Sequence, residues 1–394
     1  MPCKKNRPEL SPAPPARSVY VHVPLCRRKC RYCDFYSLAS PPQAARAWLK
    51  AVQTELAMRR GQIAPTAETV FVGGGTPTAL EPPVLGELLE TLGQLLGRDT
   101  EFSVEANPSS VDAATAKMLA GAGVNRVSLG AQSLDPKELA TLGRLHGPAE
   151  VPRAVGLLRE AGIANINLDA MYGLPGQTLR SWTHTLEGLV ELEPAHLSAY
   201  ALSFEEGTPL WRDLAEGKVE EMPEHVQERC YRVAIDILEA AGLEHYELSN
   251  FARRGRQCLH NLTYWHNRSY VGLGPAGASY LGGVRSTNCC DMEAYASALS
   301  EGRLPETSSE QLTGPMKAAE ALMLGLRLIE GVERDNFAAR YGADLAVLFP
   351  QTVEKHVGLG TLAMSENRLQ LTPKSWFVSN SVLVDFLDEA DRWR

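Results

Sequence analysis

Short β-branched runs alternate with longer stretches of helical periodicity between residues 18 and 202. The runs are bounded by turn residues and predict strands at 18–23, 69–72, 101–105, 126–129, 165–170 and 196–202. The longer stretches have apolar positions three and four residues apart and predict helices at 43–60, 83–96, 113–121, 149–161 and 181–192. Strand–helix alternation of this kind predicts an α/β fold with a parallel sheet and right-handed crossovers.

Six strand–helix units favour a partial (β/α)6 barrel, similar to a TIM barrel that is not closed, over residues 18–245. A doubly wound open sheet is the competing architecture. Residues 246–314 are rich in Asn, Gly, Ser and Tyr and have little periodicity, so we interpret them as a connecting segment.

Helical signals return in a C-terminal domain at residues 315–394. An amphipathic helix is predicted at 317–329, followed by helices at 334–341 and 344–349, a strand at 368–372 and a helix at 380–387. This mostly helical order resembles a winged-helix module. The segment carries 9 Lys and Arg against 11 Asp and Glu, which favours a packing or protein-contact role over DNA binding.

The N-terminal residues 1–17 are polar and rich in proline, and we predict a disordered tail there. The tail has charges but no apolar core, so it is not a secretory signal. No run of 18 apolar residues occurs, which predicts a cytoplasmic protein without a membrane span. The net charge of −8 argues against non-specific binding to nucleic acid.

Three cysteines directly after the first predicted strand form a C-x3-C-x2-C run of Cys26, Cys30 and Cys33. Thiolates this close can turn toward one centre, hold three irons of a [4Fe–4S] cluster and leave the fourth iron open. Basic residues at 27–29 and 31 would favour the thiolate forms. A zinc site completed by Cys258 or His260, or three unliganded core cysteines, are the alternatives.

Glycine and polar residues follow the other predicted strands at the same end. They are Gly73 to Pro77 after the second strand, Glu105 at the end of the third, Gln132 after the fourth and Asp169 near the end of the fifth. Because functional groups of a (β/α) barrel come from this end, we expect them to meet at one rim. Two interpretations are open for the glycines: close backbone approach to a ligand, or a flexible turn. Two are open for Glu105 as well: binding of hydroxyl groups, or capping of a helix.

Six segments carry a family resemblance. They are YVHVPLCRRKCRYCDFYS, VGGGTPTAL, VEANP, VSLGAQS, LGRLHG and DAMYGLPGQT, in that order. By its cysteine run the chain is identified as a member of the radical S-adenosylmethionine (SAM) superfamily. Over residues 18–394 the ordered set resembles the subfamily of oxygen-independent coproporphyrinogen III oxidases and HemW-type heme chaperones.

The resemblance implies a [4Fe–4S] cluster on the three cysteines, with SAM on the open iron, and removes zinc as an expectation. It implies that Tyr20, Gly74 and Glu105 contact this SAM. The positions that hold a second SAM in the oxidases are matched here by Tyr32, Gly75, Thr76, Gln132, Arg144 and Asp169. A second SAM is not established for the chaperones, so this set is carried over as cofactor-binding candidates.

Three features place the chain on the chaperone side. First, the oxidases have a further cysteine where this chain has Phe35. Second, the oxidases have a substantial segment before the first strand, where this chain has only the proline-rich tail. The third feature is an H-N-x-x-Y-W pattern, linked in the family to heme, which gives the candidates Cys258, His260, Asn261, Tyr264 and Trp265. Imidazole or thiolate can ligate heme iron, and the aromatic rings offer flat faces to a porphyrin. Structural hydrogen bonds and core packing are the alternative for this segment.

The resemblance therefore implies a protein that binds heme, a [4Fe–4S] cluster and SAM, and delivers heme to respiratory hemoproteins. It implies no coproporphyrinogen oxidase activity. The alternatives are the radical decarboxylation of coproporphyrinogen III in porphyrin biosynthesis and a radical SAM enzyme with another substrate. Expected partners are the recipient hemoproteins and an electron donor such as a flavodoxin or ferredoxin, with no nucleic acid. Peripheral contact with the cytoplasmic membrane is left open.

Overall fold

The computed structural model of the protein describes residues 14–39 and 42–392. Of the predicted tail, residues 1–13 lie outside the described residues. Ala16 is buried and forms a β-bridge with Ile63, so the folded part begins before Ser18. Among the described residues, no helix combines the length and apolarity that crossing a bilayer requires.

Six parallel strands form the centre of the main sheet and pair in chain order. They are β1 (Ser18–Val23), β2 (Ala67–Gly74), β3 (Leu96–Ala106), β4 (Arg126–Gln132), β5 (Asn165–Tyr172) and β6 (His196–Ala201). A doubly wound sheet reverses its strand order at a switch point, whereas this order does not reverse. The structure therefore has the predicted partial-barrel arrangement, and the competing open sheet is excluded.

Three short strands extend the sheet beyond the predicted boundary at residue 245. Strands β7 (Glu244–Glu247) and β8 (Asn250–Ala252) form an antiparallel edge beside β6, and β9 (Val271–Leu273) runs parallel to β1 at the other edge. A strand of three or four residues is too short to show a period, which is why residues 246–314 were interpreted as a connecting segment. The same segment contains an antiparallel sheet of β10 (Ala278–Leu281), β11 (Val284–Asn288) and β12 (Glu306–Gln311).

Ten helices accompany these strands in the described residues. They are α1 (Pro42–Arg59), α2 (Pro82–Gly93), α3 (Ala113–Gly121), α4 (Pro136–Leu142), α5 (Glu150–Glu160), α6 (Leu179–Val190), α7 (Pro209–Ala215), α8 (Glu224–Ala240), α9 (Leu259–Trp265) and α10 (Met292–Ser300). Local sequence sets several starts: the Asp112 side chain accepts from the Thr115 N–H, and Thr178 forms a capping box with Ser181.

Alternate residues of the parallel strands face two different environments. Val127 and Leu129 of β4 are fully buried in the apolar core, while Arg126 and Ser128, which alternate with them, line a cavity inside the barrel. The barrel interior is therefore polar, and its outer side carries the core that packs against the helices.

The C-terminal region has helices and a small sheet with a core of its own, which includes Leu322, Phe349 and Phe386. Its helices are α11 (Gly314–Gly325), α12 (Arg334–Tyr341), α13 (Leu345–Leu348), α14 (Pro350–Gly358) and α15 (Ser379–Asp391). Strands β13 (Val332–Glu333), β14 (Leu362–Met364) and β15 (Arg368–Leu371) form an antiparallel sheet around the one predicted strand. The mostly helical, winged-helix-like prediction agrees with this arrangement.

One buried carboxylate joins the segments that close the β1 edge of the barrel. Glu55 of α1 is fully buried and accepts hydrogen bonds from Arg59 Nε at 2.8 Å, Asn288 Nδ2 at 2.8 Å, the Gly274 N–H at 2.9 Å and Tyr295 OH at 2.7 Å. Each donor comes from a different part of the fold. The Glu55 carboxylate thus fixes α1 to the turn after β9, to β11 and to α10.

We expect Glu55→Gln to lower the free energy of unfolding by about 1.5–3 kcal/mol, because the buried Arg59 guanidinium loses one of its two carboxylate partners and keeps only Glu306 at 2.9 Å. Urea unfolding monitored by circular dichroism measures this loss. The matched control is Glu228→Gln, since Glu228 and Arg232 form an exposed i,i+4 pair at 2.7 Å. The control should cost less than about 1 kcal/mol. Equal costs would show that the buried network does not stabilise the barrel.

Candidate functional site

A cavity of about 380 Å³ lies inside the barrel at the C-terminal ends of the parallel strands, and we call it the barrel cavity. It brings together eleven of the predicted cluster and SAM residues. These are Cys26, Cys30, Cys33, Tyr32, Gly74, Gly75, Thr76, Glu105, Gln132, Arg144 and Asp169. The expectation that the strand ends meet at one rim is therefore met by the geometry.

The loop that carries the three cysteines is held by contacts with the far side of the barrel. The Arg31 N–H donates to the Leu142 carbonyl at 3.0 Å, and the Arg31 guanidinium pairs with Asp213 of α7. Arg28 donates to the carbonyl of Gly143 at 2.7 Å. These bonds place the loop across the mouth of the barrel cavity.

Burial governs the thiols of Cys26 and Cys33 more than their basic neighbours do. Desolvation raises the pKa of Cys33 to about 11 and also raises the pKa of Cys26. The lowering of thiol pKa expected from the basic run does not prevail, because residues 27–29 are exposed and their charges are screened by solvent. Polar groups nevertheless contact the sulfurs: Thr76 Oγ1 lies 3.6 Å from Cys26 Sγ, and Arg144 donates to Cys30 Sγ at 3.4 Å.

The donor set of the loop fits an iron–sulfur cluster. Three thiols of one loop line one cavity, which is the arrangement that leaves one iron of a [4Fe–4S] cluster open to a further ligand. In the described ranges, no three side chains of His, Cys, Asp or Glu converge closely enough to hold a single metal ion.

The glycine run after β2 is tightly packed. A Cβ on Gly75 would lie 2.5 Å from the Leu25 carbonyl oxygen and 2.8 Å from that of Val23, and one on Gly74 would lie 2.6 Å from the His22 ring. Gly74 also has a φ of +102°, where other residues are strained. The flexible-turn alternative does not describe this segment, because close backbone approach requires its glycines.

Glu105 and Tyr20 occupy one wall of the barrel. Glu105 accepts from the Gly74 N–H at 3.1 Å, and burial, followed by the nearby Asp169, raises the pKa of Glu105 to about 8. Tyr20 is not among the residues that line the barrel cavity. Its hydroxyl bonds His22 Nδ1 at 3.1 Å, and burial raises the pKa of Tyr20 above its ordinary value.

Two of the candidates matched to a second SAM, Gln132 and Asp169, lie on β4 and β5. Gln132 ends β4 in a left-handed conformation with φ of 68°, at an irregularity in the pairing with β5, and its side chain accepts from Tyr200 OH at 2.9 Å. Asp169 accepts from Ser128 Oγ at 3.1 Å and from Asn167 Nδ2 at 2.7 Å. Positive φ at a residue without glycine's freedom is typical of a functional constraint.

The predicted heme segment is mostly enclosed. His260 is 1% exposed, with Nδ1 2.7 Å from Thr69 Oγ1 and Nε2 2.9 Å from Tyr264 OH. Burial lowers the pKa of His260 to about 3, and its ring stacks on Phe71 with centroids 5.2 Å apart. Structural hydrogen bonds, the alternative considered for this residue, thus describe His260. Iron ligation by its ring would require α9 to leave the barrel.

The other members of the segment have different surroundings. Cys258 is fully buried 3.6 Å from Glu101 Oε1, and burial raises the pKa of its thiol to about 12. Asn261 alone of the five candidates lines the barrel cavity. The Arg327 guanidinium of the C-terminal region lies 4.7 Å above the Trp265 ring.

Sequence reasoning missed polar residues in the lower part of the barrel. Arg126, Ser128, Asn167, Ser198 and Tyr200 all line the barrel cavity. Arg126 is 2% exposed, and its side chain forms no hydrogen bond or ion pair with the described residues. The signal was present in the sequence, because polar residues alternate with apolar ones along β4, β5 and β6, although a parallel sheet buried on both faces is continuously apolar.

Two protein-family models match parts of the chain. The model of the radical SAM superfamily matches residues 20–189, and that of the HemN C-terminal domain matches residues 312–378. The first match contains the cysteine loop and most of the residues that line the barrel cavity, and the second falls in the C-terminal region.

Two relatives match over nearly the whole chain. The heme chaperone HemW of Bacillus subtilis is 35% identical over 379 residues, covering 95% of this chain and all of the relative. The heme chaperone HemW of Escherichia coli is 34% identical over 389 residues, with 95% and 99% covered. Among solved structures, the E. coli coproporphyrinogen III oxidase HemN superposes with a TM-score of 0.83 at 21% identity, covering 95% of this chain and 91% of that one. At that identity the likeness shows the fold alone.

We expect Gly75→Ala to destabilise the cluster loop by about 2 kcal/mol or more, because its methyl group would overlap two backbone carbonyls. Reconstitution with iron and sulfide should then give little of the brown cluster absorbance. The matched control is Gly156→Ala in α5, where a Cβ would meet no atom within 4 Å. The control should be about 0.5–1 kcal/mol more stable than the parent. A Gly75→Ala protein that takes up a full cluster would contradict this packing argument.

The raised pKa of Glu105 predicts a pH dependence in the protein without cofactors. Its carboxyl keeps a proton up to about pH 8 when folded but loses it near its ordinary pKa of 4.5 when unfolded. This group's contribution to the free energy of unfolding is therefore present below pH 4.5 and is lost as the pH rises to about 8. Glu105→Gln removes this titrating group, so the free energy of unfolding of the variant does not fall over this pH range on its account. Urea unfolding should show that the stability of the variant, relative to the parent, rises between about pH 5 and pH 9.

Asp112→Asn is the control for this titration. Its pKa is lowered by the Thr115 N–H that it caps, so its contribution is lost only in acid. The stability difference between this variant and the parent should stay constant above about pH 5. A constant difference for Glu105→Gln as well would mean that Glu105 is ionised normally in the folded protein.

Proposed function

Because the chain belongs to the radical SAM superfamily and, within it, to the HemW family of heme chaperones, we propose that it binds heme and delivers it to respiratory hemoproteins. The observation that carries this proposal is the whole-chain match to HemW relatives, in which 95% of this chain aligns with all of the B. subtilis protein. The geometry supports it further, since the cysteine loop and its surrounding rim form one cavity.

Cys26, Cys30 and Cys33 are the proposed ligands of a [4Fe–4S] cluster. When bound, such a cluster supplies a single electron for the reductive cleavage of SAM. Arg144 donates to the Cys30 sulfur, and Thr76 lies beside the Cys26 sulfur, so both stabilise negative charge there. The glycine run keeps the backbone of β2 close to the loop, and Phe35 lies at the cavity lining, 63% exposed.

We propose that SAM lies in the barrel cavity against Gly74 and Glu105. A carboxylate can accept from two vicinal hydroxyls, which suits the ribose. Because the pKa of Glu105 is about 8 in the protein without cofactors, its carboxyl is mostly protonated at neutral pH, and accepting from both hydroxyls requires its ionisation. Tyr20 supports this wall from behind, and Tyr32, Gly75, Thr76, Gln132, Arg144 and Asp169 extend the proposed cofactor site.

Two of the heme candidates, Cys258 and His260, could reach a ligand only if α9 moved. In this structure Cys258 and His260 are sealed by Glu101, Thr69 and Tyr264, so neither reaches a ligand without movement of α9. Asn261 reaches the barrel cavity, and Trp265 lies beneath Arg327. We therefore propose that the segment contacts heme through its Trp265 end.

A decarboxylating oxidase is the second candidate function. All six positions matched to a second SAM in the oxidases are present here and line the barrel cavity. Against it stand Phe35, where the oxidases have a cysteine, and the HemW relatives themselves.

We propose a cytoplasmic location and an acidic electron donor of the flavodoxin or ferredoxin class. The exposed basic residues 27–29 lie within the cysteine loop, between Cys26 and Cys30. Positive charge there attracts an acidic partner. Peripheral contact with the membrane would bring the protein to its recipients.

The test is a split sample of anaerobically purified, reconstituted protein. One half is titrated with heme and followed by its Soret band, and the other receives coproporphyrinogen III, SAM and a reductant. We expect saturable binding of one heme per chain and no protoporphyrinogen. Vinyl-bearing product would favour the oxidase instead. The variant with Cys26, Cys30 and Cys33 all changed to Ala is the control for any product that does not depend on the cluster.

A further inference from the structure

A second and larger cavity lies between the barrel and the C-terminal region, and we call it the interdomain cavity. Its volume is about 860 Å³, more than twice that of the barrel cavity. Small-molecule sites span about 300–1,000 Å³, so this cavity has the size of a site for a large cofactor. The ends of β5 and β6 and the start of α8 form one side of it, and Arg327 and residues 376–381 form the other.

Aromatic side chains from both sides form its walls. Tyr172 and Tyr231 come from the barrel, and Trp376 and Phe377 come from the C-terminal region. The rings of Tyr231 and Phe377 lie 6.0 Å apart, and those of Tyr172 and Tyr231 lie 6.4 Å apart. Aromatic faces from two domains suit a flat apolar ligand that contacts both at once.

An arginine whose guanidinium has no hydrogen bond lies at the same cavity. Arg327 lines it, and among the described residues its side chain forms no hydrogen bond and no ion pair within 4 Å, although the buried Glu247 carboxyl acts on it electrostatically. Its guanidinium stacks over the Trp265 ring at 4.7 Å. A planar guanidinium in this state is ready to bind a carboxylate with two parallel hydrogen bonds.

The first turn of α15 adds positive potential on the same side. Residues 379–381 of this helix line the interdomain cavity, and no side chain caps its N-terminus. Glu221 and Glu224 line the barrel side, so the cavity is basic on one side and acidic on the other. A ligand with an apolar ring and carboxylates on one edge would be oriented by this difference.

We propose that the interdomain cavity receives heme, with the macrocycle between the aromatic walls and a propionate on Arg327. The inference rests on the proposed function, and it adds the place at which heme is held. Trp265 acts as a positioning residue, because it supports the guanidinium from below. This gives the H-N-x-x-Y-W segment a part in heme binding although His260 is sealed.

The iron ligands available in the interdomain cavity suit a protein that releases heme. Among the described residues that line it there is no histidine or cysteine, and Met222 and Tyr172 carry the thioether and phenol that can meet iron. Binding then depends mainly on the macrocycle and the propionates, which a recipient with an imidazole ligand can overcome.

The experiment compares heme and heme dimethyl ester on the full reconstituted chain by Soret titration. We expect Arg327→Gln to weaken heme binding about tenfold or more, since a charge-assisted hydrogen bond is lost. The same variant should bind the ester as the parent does, because the ester has no carboxylate to lose. Arg327→Lys should bind heme more tightly than Arg327→Gln but less tightly than the parent, because lysine keeps the positive charge and lacks the two parallel N–H donors of the guanidinium.

Two further variants control for folding and for place. Arg340→Gln is the matched control, since Arg340 also reaches from the C-terminal region to the end of α9, donating to the His266 carbonyl at 2.9 Å, but does not line the interdomain cavity. It should leave heme affinity within about twofold of the parent. Ser381→Trp places a large ring at an exposed lining position and should obstruct heme without removing a contact.

The outcomes separate this inference from the function on which it rests. If the parent binds no heme, the proposed function and the interdomain heme site are both wrong. If the parent binds heme, and His260→Ala abolishes binding while Arg327→Gln and Ser381→Trp do not, the function stands and heme lies in the α9 segment instead. Loss with Arg327→Gln for heme but not for the ester, with Arg340→Gln unchanged, supports the interdomain site.

Discussion

The parallel register of β1 to β6 is the constraint on which the site depends. Tyr20 pairs with Phe71, Phe71 with Ser103, and Ser103 with Arg126, so one layer of side chains crosses the barrel interior. A slip of one residue in any strand would turn its polar side chains into the apolar core. The same register brings the strand ends to one rim, where the cysteine loop and the glycine run can meet.

Much of this arrangement was predictable from the sequence because it is encoded locally. The six strands have clear apolar runs, and Cys26, Gly74 and Glu105 follow them at positions that any parallel barrel brings together. What could not be predicted depends on contacts between distant segments. His260 is sealed by Thr69, 191 positions earlier, and the three residues of β9 have no pattern of their own. The depression of thiol pKa expected from the basic run also failed, because burial is a property of the folded loop.

The two cavities divide the chemistry of the chain between a closed and an open environment. The barrel cavity is narrow and holds buried carboxyls whose pKa values are raised, as at Glu105 and Asp169, so small changes of charge there have large electrostatic effects. The interdomain cavity is wider, and its walls belong to two units with separate cores. Tyr200 lines both cavities and donates to Gln132 in the first, so the two sites share one wall.

The pairing of Val19 with Val271 has a consequence for the time course of biosynthesis. The ribosome releases β1 early, but its second neighbour in the sheet follows about 250 residues later, roughly ten to fifty seconds at ordinary rates of translation. Until then one edge of a valine-rich strand is open to association with other chains. The strand that completes the pairing of β1 is thus made only when about 70% of the chain has been synthesised. A chaperone that holds the nascent chain during this interval would protect the open edge from aggregation.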